Sequence, residues 1–201
     1  MTRVCLLAIV LALLVNGVSR AQSLTAAFNG KNLQGWNVEP SESKNIWWTV
    51  EDGGVLKLEN GPKKTGSTLW TDKEFGNFVM EFEFKMGKGT VDTGVYVRNS
   101  KEQIQIGISG SLKRDMTGSP YIAGKGHPVE AEGVKDLLKL DDWNEMTIVA
   151  KGKNYSVWLN GDKVMTYDSE SAIEKGPLGI QLHGNREMSA HYRNIKIAEL
   201  N

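Results

Sequence analysis

Cysteine is almost missing from this chain, and its scarcity narrows the available chemistry. Of 201 residues, only Cys5 carries a thiol. It falls in a stretch with the form of a secretory signal: Arg3 gives a positive start, residues 4–15 are an apolar run, and the small residues Ser19 and Ala21 precede a cut before Gln22. The expected domain, 22–201, then has neither a disulfide nor a thiolate, although its expected setting (exported, periplasmic or extracellular) permits both. An excess of one charge is also lacking. The 24 basic residues equal the 24 acidic ones, and loss of Arg3 and Arg20 leaves 22 against 24. Neither nucleic acid nor, for the mature chain, an anionic membrane is expected as a partner. The run at 4–15 also falls short of the roughly 20 apolar residues of a membrane-spanning helix. Histidine is scarce as well, and the pair His183 and His191 matches no zinc spacing.

What the chain holds in quantity is glycine, 22 residues, many of them between short runs of alternating apolar and polar side chains. Asp52-Gly53-Gly54 separates 48–51 from 55–58, Gly152-Lys153-Asn154 separates 146–151 from 155–159, and Asn160-Gly161 leads into 163–167. By composition these are hairpin turns. Residues 78–85 alternate with period two, and 195–200 form a last strand. Helical periodicity is confined to 130–138, with room for about two turns. Short strands with turn signals at this spacing predict an all-β, two-sheet jelly-roll sandwich in a single domain. The stretch 109–142 breaks the rhythm. Connections longer than about 15 residues are usually functional covers or disordered, and this one carries Lys113, Arg114, Asp115, Tyr121, Lys125 and His127.

Three strand-like runs, 94–98, 103–108 and 178–183, bear most directly on function. Side chains on a strand point alternately to opposite faces. If Val95, Val97, Ile104, Ile106, Ile180 and Leu182 pack inward, then Tyr96, Arg98, Gln103, Gln105, Gln181 and His183 share the other face. A half-solvated sheet also alternates, but such a face ordinarily favours Lys, Glu and Thr. Amides, a phenol, a guanidinium and an imidazole are suited to a ligand rich in hydroxyls. The acidic pair Glu81 and Glu83 sits at alternate positions of one strand, as in jelly-roll glucanases. Lys85 stands where the third acid of that pattern belongs, so a solvated strand face is the expected role there.

The opening Phe28-Asn29-Gly30-Lys31-Asn32-Leu33 followed by Gly35-Trp36 resembles the start of the 3-keto-disaccharide hydrolase family. In order come Trp48-Thr49-Val50-Glu51-Asp52-Gly53, Leu69-Trp70-Thr71, Thr93-Gly94-Val95-Tyr96-Val97-Arg98 and Glu102-Gln103-Ile104-Gln105-Ile106. Trp143-Asn144, Trp158-Leu159-Asn160-Gly161, Gly179-Ile180-Gln181-Leu182-His183-Gly184 and Tyr192-Arg193-Asn194-Ile195 complete the set. Departures are Asp92-Thr93 where the family has Asn-Ser, and Gly107 where it tends to an acid. The resemblance implies a concanavalin-A-like jelly roll, exported from a bacterium, that cleaves glycosidic bonds of 3-keto disaccharides or 3-keto glycosides.

On that reading the expected catalytic residues are His183 and Arg98. An imidazole titrates at about pH 6.5 and suits proton transfer, and a guanidinium can hold a developing oxyanion. Tyr96, Gln103, Gln105, Gln181, Tyr121 and His127 are the expected substrate contacts. A divalent cation at the ketone oxygen is compatible with the same chemistry, although no ligand cluster identifies one and no other cofactor is implied. The alternative is a non-catalytic, lectin-like carbohydrate-binding module, which the same polar face would serve.

Overall fold

A computed structural model describes residues 23–44 and 46–201; the signal-peptide reading of 1–21 lies outside them. The strands in chain order are β1 (Thr25–Ala26), β2 (Trp36–Glu39), β3 (Trp48–Glu51), β4 (Val55–Glu59), β5 (Ser67–Phe75), β6 (Phe78–Gly89), β7 (Asp92–Tyr96), β8 (Glu102–Gly107) and β9 (Pro120–Ile122). After helix α1 (Val134–Leu137) follow β10 (Asn144–Lys151), β11 (Asn154–Leu159), β12 (Asp162–Asp168), β13 (Gly176–Leu182) and β14 (Met188–Glu199). They form two antiparallel sheets. One runs β12-β11-β10-β6-β14-β4-β3, with β1 also on β14; the other runs β2-β5-β13-β7-β8-β9.

The sandwich follows from the alternation in the sequence. Along β6, Phe78, Met80, Phe82 and Phe84 are buried, and their neighbours are half-exposed. Met146, Ile148 and Ala150 of β10 face the same way. From the second sheet come Leu69, Val95, Ile104, Ile106, Leu178, Ile180 and Leu182, all fully buried. Each large side chain removed from water in this layer contributes roughly 1.5–3 kcal/mol. All six residues expected to point inward, Val97 included, are 0% exposed.

Two details differ from expectation. The helical stretch holds a single turn, Val134–Leu137, entered through Gly133 at φ 70°. Residues 109–142 are neither free loop nor plain lid, because residues 116–122 run along β8. Met116 N–H donates to Gly107 O, Gly118 N–H to Gln105 O and Gln105 N–H to Ser119 O. This pairing makes β8 an interior strand of its sheet, and all six of its residues are buried. Glu81 and Glu83, as expected of a solvated strand face, lie on the outside of the larger sheet, where Glu83 pairs with Arg193 and Asn194.

Candidate functional site

The site is assembled on the outer face of the smaller sheet, from side chains that the pairing register brings into rows. Gln181 of β13, Gly94 of β7 and Gln105 of β8 are direct partners across three strands. One step along, Gly179, Tyr96 and Gln103 form a second row. Glycine at 94 is required by close approach: a Cβ there would stand 2.8 Å from Gln103 Nε2 and 2.3 Å from Ile104 O. In the space left by that missing side chain Gln103 leans across β7, and its Nε2 donates to Gln181 Oε1 at 2.8 Å. Gln181 Nε2 in turn donates to Tyr96 OH at 2.6 Å. Every bond of this relay points toward the phenol, which is left with its own hydrogen to give to a ligand. Burial, only partly offset by the Gln181 hydrogen bond, pushes the Tyr96 phenol up from its ordinary value and keeps it protonated.

Asp92 opens β7 on the same face and is 2% exposed. Its Oδ1 accepts from Gln105 Nε2 at 2.7 Å, and its Oδ2 lies 3.0 Å from Arg186 Nη1 and 3.9 Å from His183 Nε2. His183 follows directly on β13 and gives its Nδ1–H to Gly184 O at 2.7 Å. That bond fixes the tautomer in which Nε2 holds a lone pair, beside a carboxylate able to steady the imidazolium once Nε2 takes up a proton. Gly110 lets the 109–142 segment close down here, since a Cβ would be 2.8 Å from Arg186 Nη2.

That segment supplies the opposite wall. His127 stands edge-on to Tyr121, with ring centres 5.4 Å apart. Its Nδ1 donates to Pro120 O at 3.0 Å, and Nε2 accepts from Ser109 Oγ at 3.3 Å. Burial pushes the His127 imidazole down, so it stays neutral. The walls enclose a cleft of about 570 Å³ lined by Tyr96, Gln103, Gln105, Gln181, His183, Tyr121 and His127, together with Asp92, Ser109, Gly110, Ser111 and Arg186.

Seven of the eight residues singled out from sequence are therefore brought together, and Arg98 is not. β7 ends at Tyr96, and Arg98 sits at φ 64°, so the alternation that put it beside Tyr96 no longer holds. Its side chain is 1% exposed and donates from Nε to Gly76 O and from Nη1 to Gly152 O and Ile173 O. It fastens turns together, as does the buried Glu102, which accepts from Tyr155, Ser169 and Ser171. The cation at the site is instead Arg186. Sequence reasoning missed Asp92, Ser109, Ser111 and Arg186. Asp92 was within reach, because it shares the parity of Gly94 and Tyr96; the other three lie outside the strands, where no periodicity marks them. Among the described residues, no group of three or more His, Cys, Asp or Glu side chains is placed to hold a metal ion.

Residues 23–198 match the family described as a 3-keto-α-glucoside-1,2-lyase-like domain. A search of curated proteins finds none that matches the chain. Among solved structures, a candidate glycosyl hydrolase from Parabacteroides distasonis is 25% identical, with a TM-score of 0.63 over 89% of this chain and all 100% of that one. A second candidate glycosyl hydrolase from the same organism is 21% identical, with a TM-score of 0.64 over 89% and 94%. The carbohydrate-binding module CBM66 from Bacillus subtilis shares the fold at 14% identity, with a TM-score of 0.59 over 82% and 96%.

Proposed function

The chain belongs to the 3-keto-α-glucoside-1,2-lyase-like family, and from that premise we propose that it is an exported enzyme that cleaves the glycosidic bond of 3-keto sugars by elimination. A ketone at C3 acidifies the proton on C2. Removing that proton breaks the C2–H bond and leaves an enolate across C2 and C3. When the enolate collapses, the C3 carbonyl reforms, a double bond forms between C1 and C2, and the C1–O bond breaks. The leaving oxygen takes a proton, and addition of water across the new double bond gives the free 3-keto sugar.

The chain's own residues meet these demands. His183 Nε2, with its lone pair free and Asp92 beside it, is the base for the C2 proton. The Tyr96 hydroxyl and the Arg186 guanidinium are the donors for the C3 oxygen as charge develops there. Gln103, Gln105 and Gln181 offer amides to the sugar hydroxyls. One observation carries the reading: among the described residues, Asp92 is the sole acid lining this cleft, and Gln105 and Arg186 already engage it. An ordinary glycosidase needs two carboxylates across the scissile bond, and elimination needs neither.

The test is turnover of a 3-keto glycoside in deuterated water. Deuterium is expected at C2 of the released sugar, and His183→Ala is expected to lower kcat by about 10²- to 10⁴-fold while binding persists. Cleavage without exchange at C2, or equal cleavage of the unoxidised glycoside, contradicts the elimination route. Binding of both sugars without any turnover leaves the carbohydrate-binding module as the function.

A further inference from the structure

A second cleft of about 380 Å³ adjoins the first and shares three of its walls, Tyr96, Gln181 and His183. Beyond them it is lined by Trp70, Thr68, Glu39 and Gly184, on the side of β5 and β2. Its main surface is built around a missing side chain. Trp70 of β5 and Tyr96 of β7 both pair with Gly179 of the intervening β13. A Cβ on Gly179 would lie 2.6 Å from the Trp70 ring, so only glycine lets the indole lean over the strand. There it stacks on Tyr96, with ring centres 5.3 Å apart and planes 19° from parallel. Trp70 Nε1 donates to Glu39 Oε2 at 3.1 Å, which fixes the ring's orientation and places a carboxylate at the rim.

A half-buried, immobilised aromatic next to an exposed carboxylate is a surface for a pyranose. The apolar C–H face of a sugar packs on the ring, and hydroxyls at its edge donate to the carboxylate. The two clefts meet at Tyr96 and His183, where the bond at C1 is broken in the mechanism above. We propose that the Trp70 cleft is the leaving-group subsite, holding a second sugar ring. The chain is then selective for disaccharides over glycosides of small alcohols. This rests on the cleavage reading for the location of the reacting bond, but not for the existence of the subsite.

Two 3-keto disaccharides, 3-ketotrehalose and 3-ketomaltose, are compared with methyl 3-keto-α-glucoside as the ratio of their kcat/KM values. The wild-type enzyme is expected to favour at least one disaccharide. Trp70→Ala is expected to lower that ratio about tenfold, chiefly through KM, and Trp70→Phe to restore most of it. Thr68→Trp fills the cleft while keeping the Trp70 side chain and is expected to lower the ratio likewise, so it decides the matter if Trp70→Ala does not fold. No disaccharide preference in the wild type, or a ratio unchanged in Thr68→Trp and folded Trp70→Ala, overturns the proposal. If no 3-keto compound is turned over, calorimetry with trehalose, maltose and methyl α-glucoside gives the same comparison. A preference lost in the variants then upholds the subsite while the cleavage reading falls, and no preference overturns the subsite.

Discussion

At the scale of single residues, Arg98 leaves the site that sequence position assigns it, and Asp92, to which the sequence assigns no role, enters it. Arg98 is charged and lies two residues past Tyr96, yet it is a buried fastener whose three hydrogen bonds end on backbone carbonyls. Its removal orphans those carbonyls in a dry interior, which costs about 3–5 kcal/mol. Arg98→Ala is therefore expected to lower the urea unfolding free energy by that amount, while the folded fraction keeps its C2 exchange. Unchanged stability with lost exchange would return Arg98 to the site. Asp92 is the converse case. Asp92→Asn keeps the shape but removes the charge facing His183 and Arg186, so kcat is expected to fall about a hundredfold with KM little changed. Steady-state kinetics on a 3-keto glycoside decides it. Strand parity alone marked Tyr96, Gln103, Gln105, Gln181 and His183, because one face of each strand had to be apolar. It failed at Arg98 because parity ends where the backbone leaves the extended region.

At the scale of elements, the site depends on how close β7 comes to its neighbours. The amide relay from Gln103 through Gln181 to Tyr96 crosses β7 at Gly94, where a methyl group would meet Ile104 O at 2.3 Å. Gly94→Ala is expected to cost about 1–3 kcal/mol, as overpacking does, and to raise KM by displacing Gln103. Thermal melts and KM measured together test this; a stable variant with unaltered KM would show that the relay does not orient the substrate. The hairpins about Gly53, Gly152 and Gly161 were legible because turn chemistry is local. The course of 109–142 was not. Its residues 116–122 are held to β8 by backbone hydrogen bonds, and backbone pairing leaves little trace in side-chain pattern. His127 and Tyr121 could be suspected from sequence, but what placed them over the sheet could not be seen.

At the scale of the whole molecule, the sandwich holds two histidines neutral by burial, and this gives its stability a pH dependence of definite sign. Burial is the leading cause for both His127, on the cleft wall, and His191 of β14, and it pushes both below the ordinary value of 6.5. The unfolded chain then binds more protons than the folded one once the pH falls below about 6.5, so stability is full above that value and declines as the medium is acidified. Glu81, pushed up first by burial and then by Glu145, works against this decline, because it takes its proton earlier in the folded state. Glu59 and Glu130, pulled down by hydrogen bonds to Lys57 and Arg114, add to the decline only near and below the carboxylate range. The histidine contribution is isolated by comparing the wild type with the double variant His127→Asn/His191→Gln, whose new asparagine amide can still donate to Pro120 O. Urea unfolding free energies at pH 7.5, 6.5, 5.5 and 4.5 are expected to fall more steeply in the wild type. The difference is bounded by about 1.4 kcal/mol per pH unit for each histidine. Parallel curves would mean that neither imidazole is held neutral by the fold.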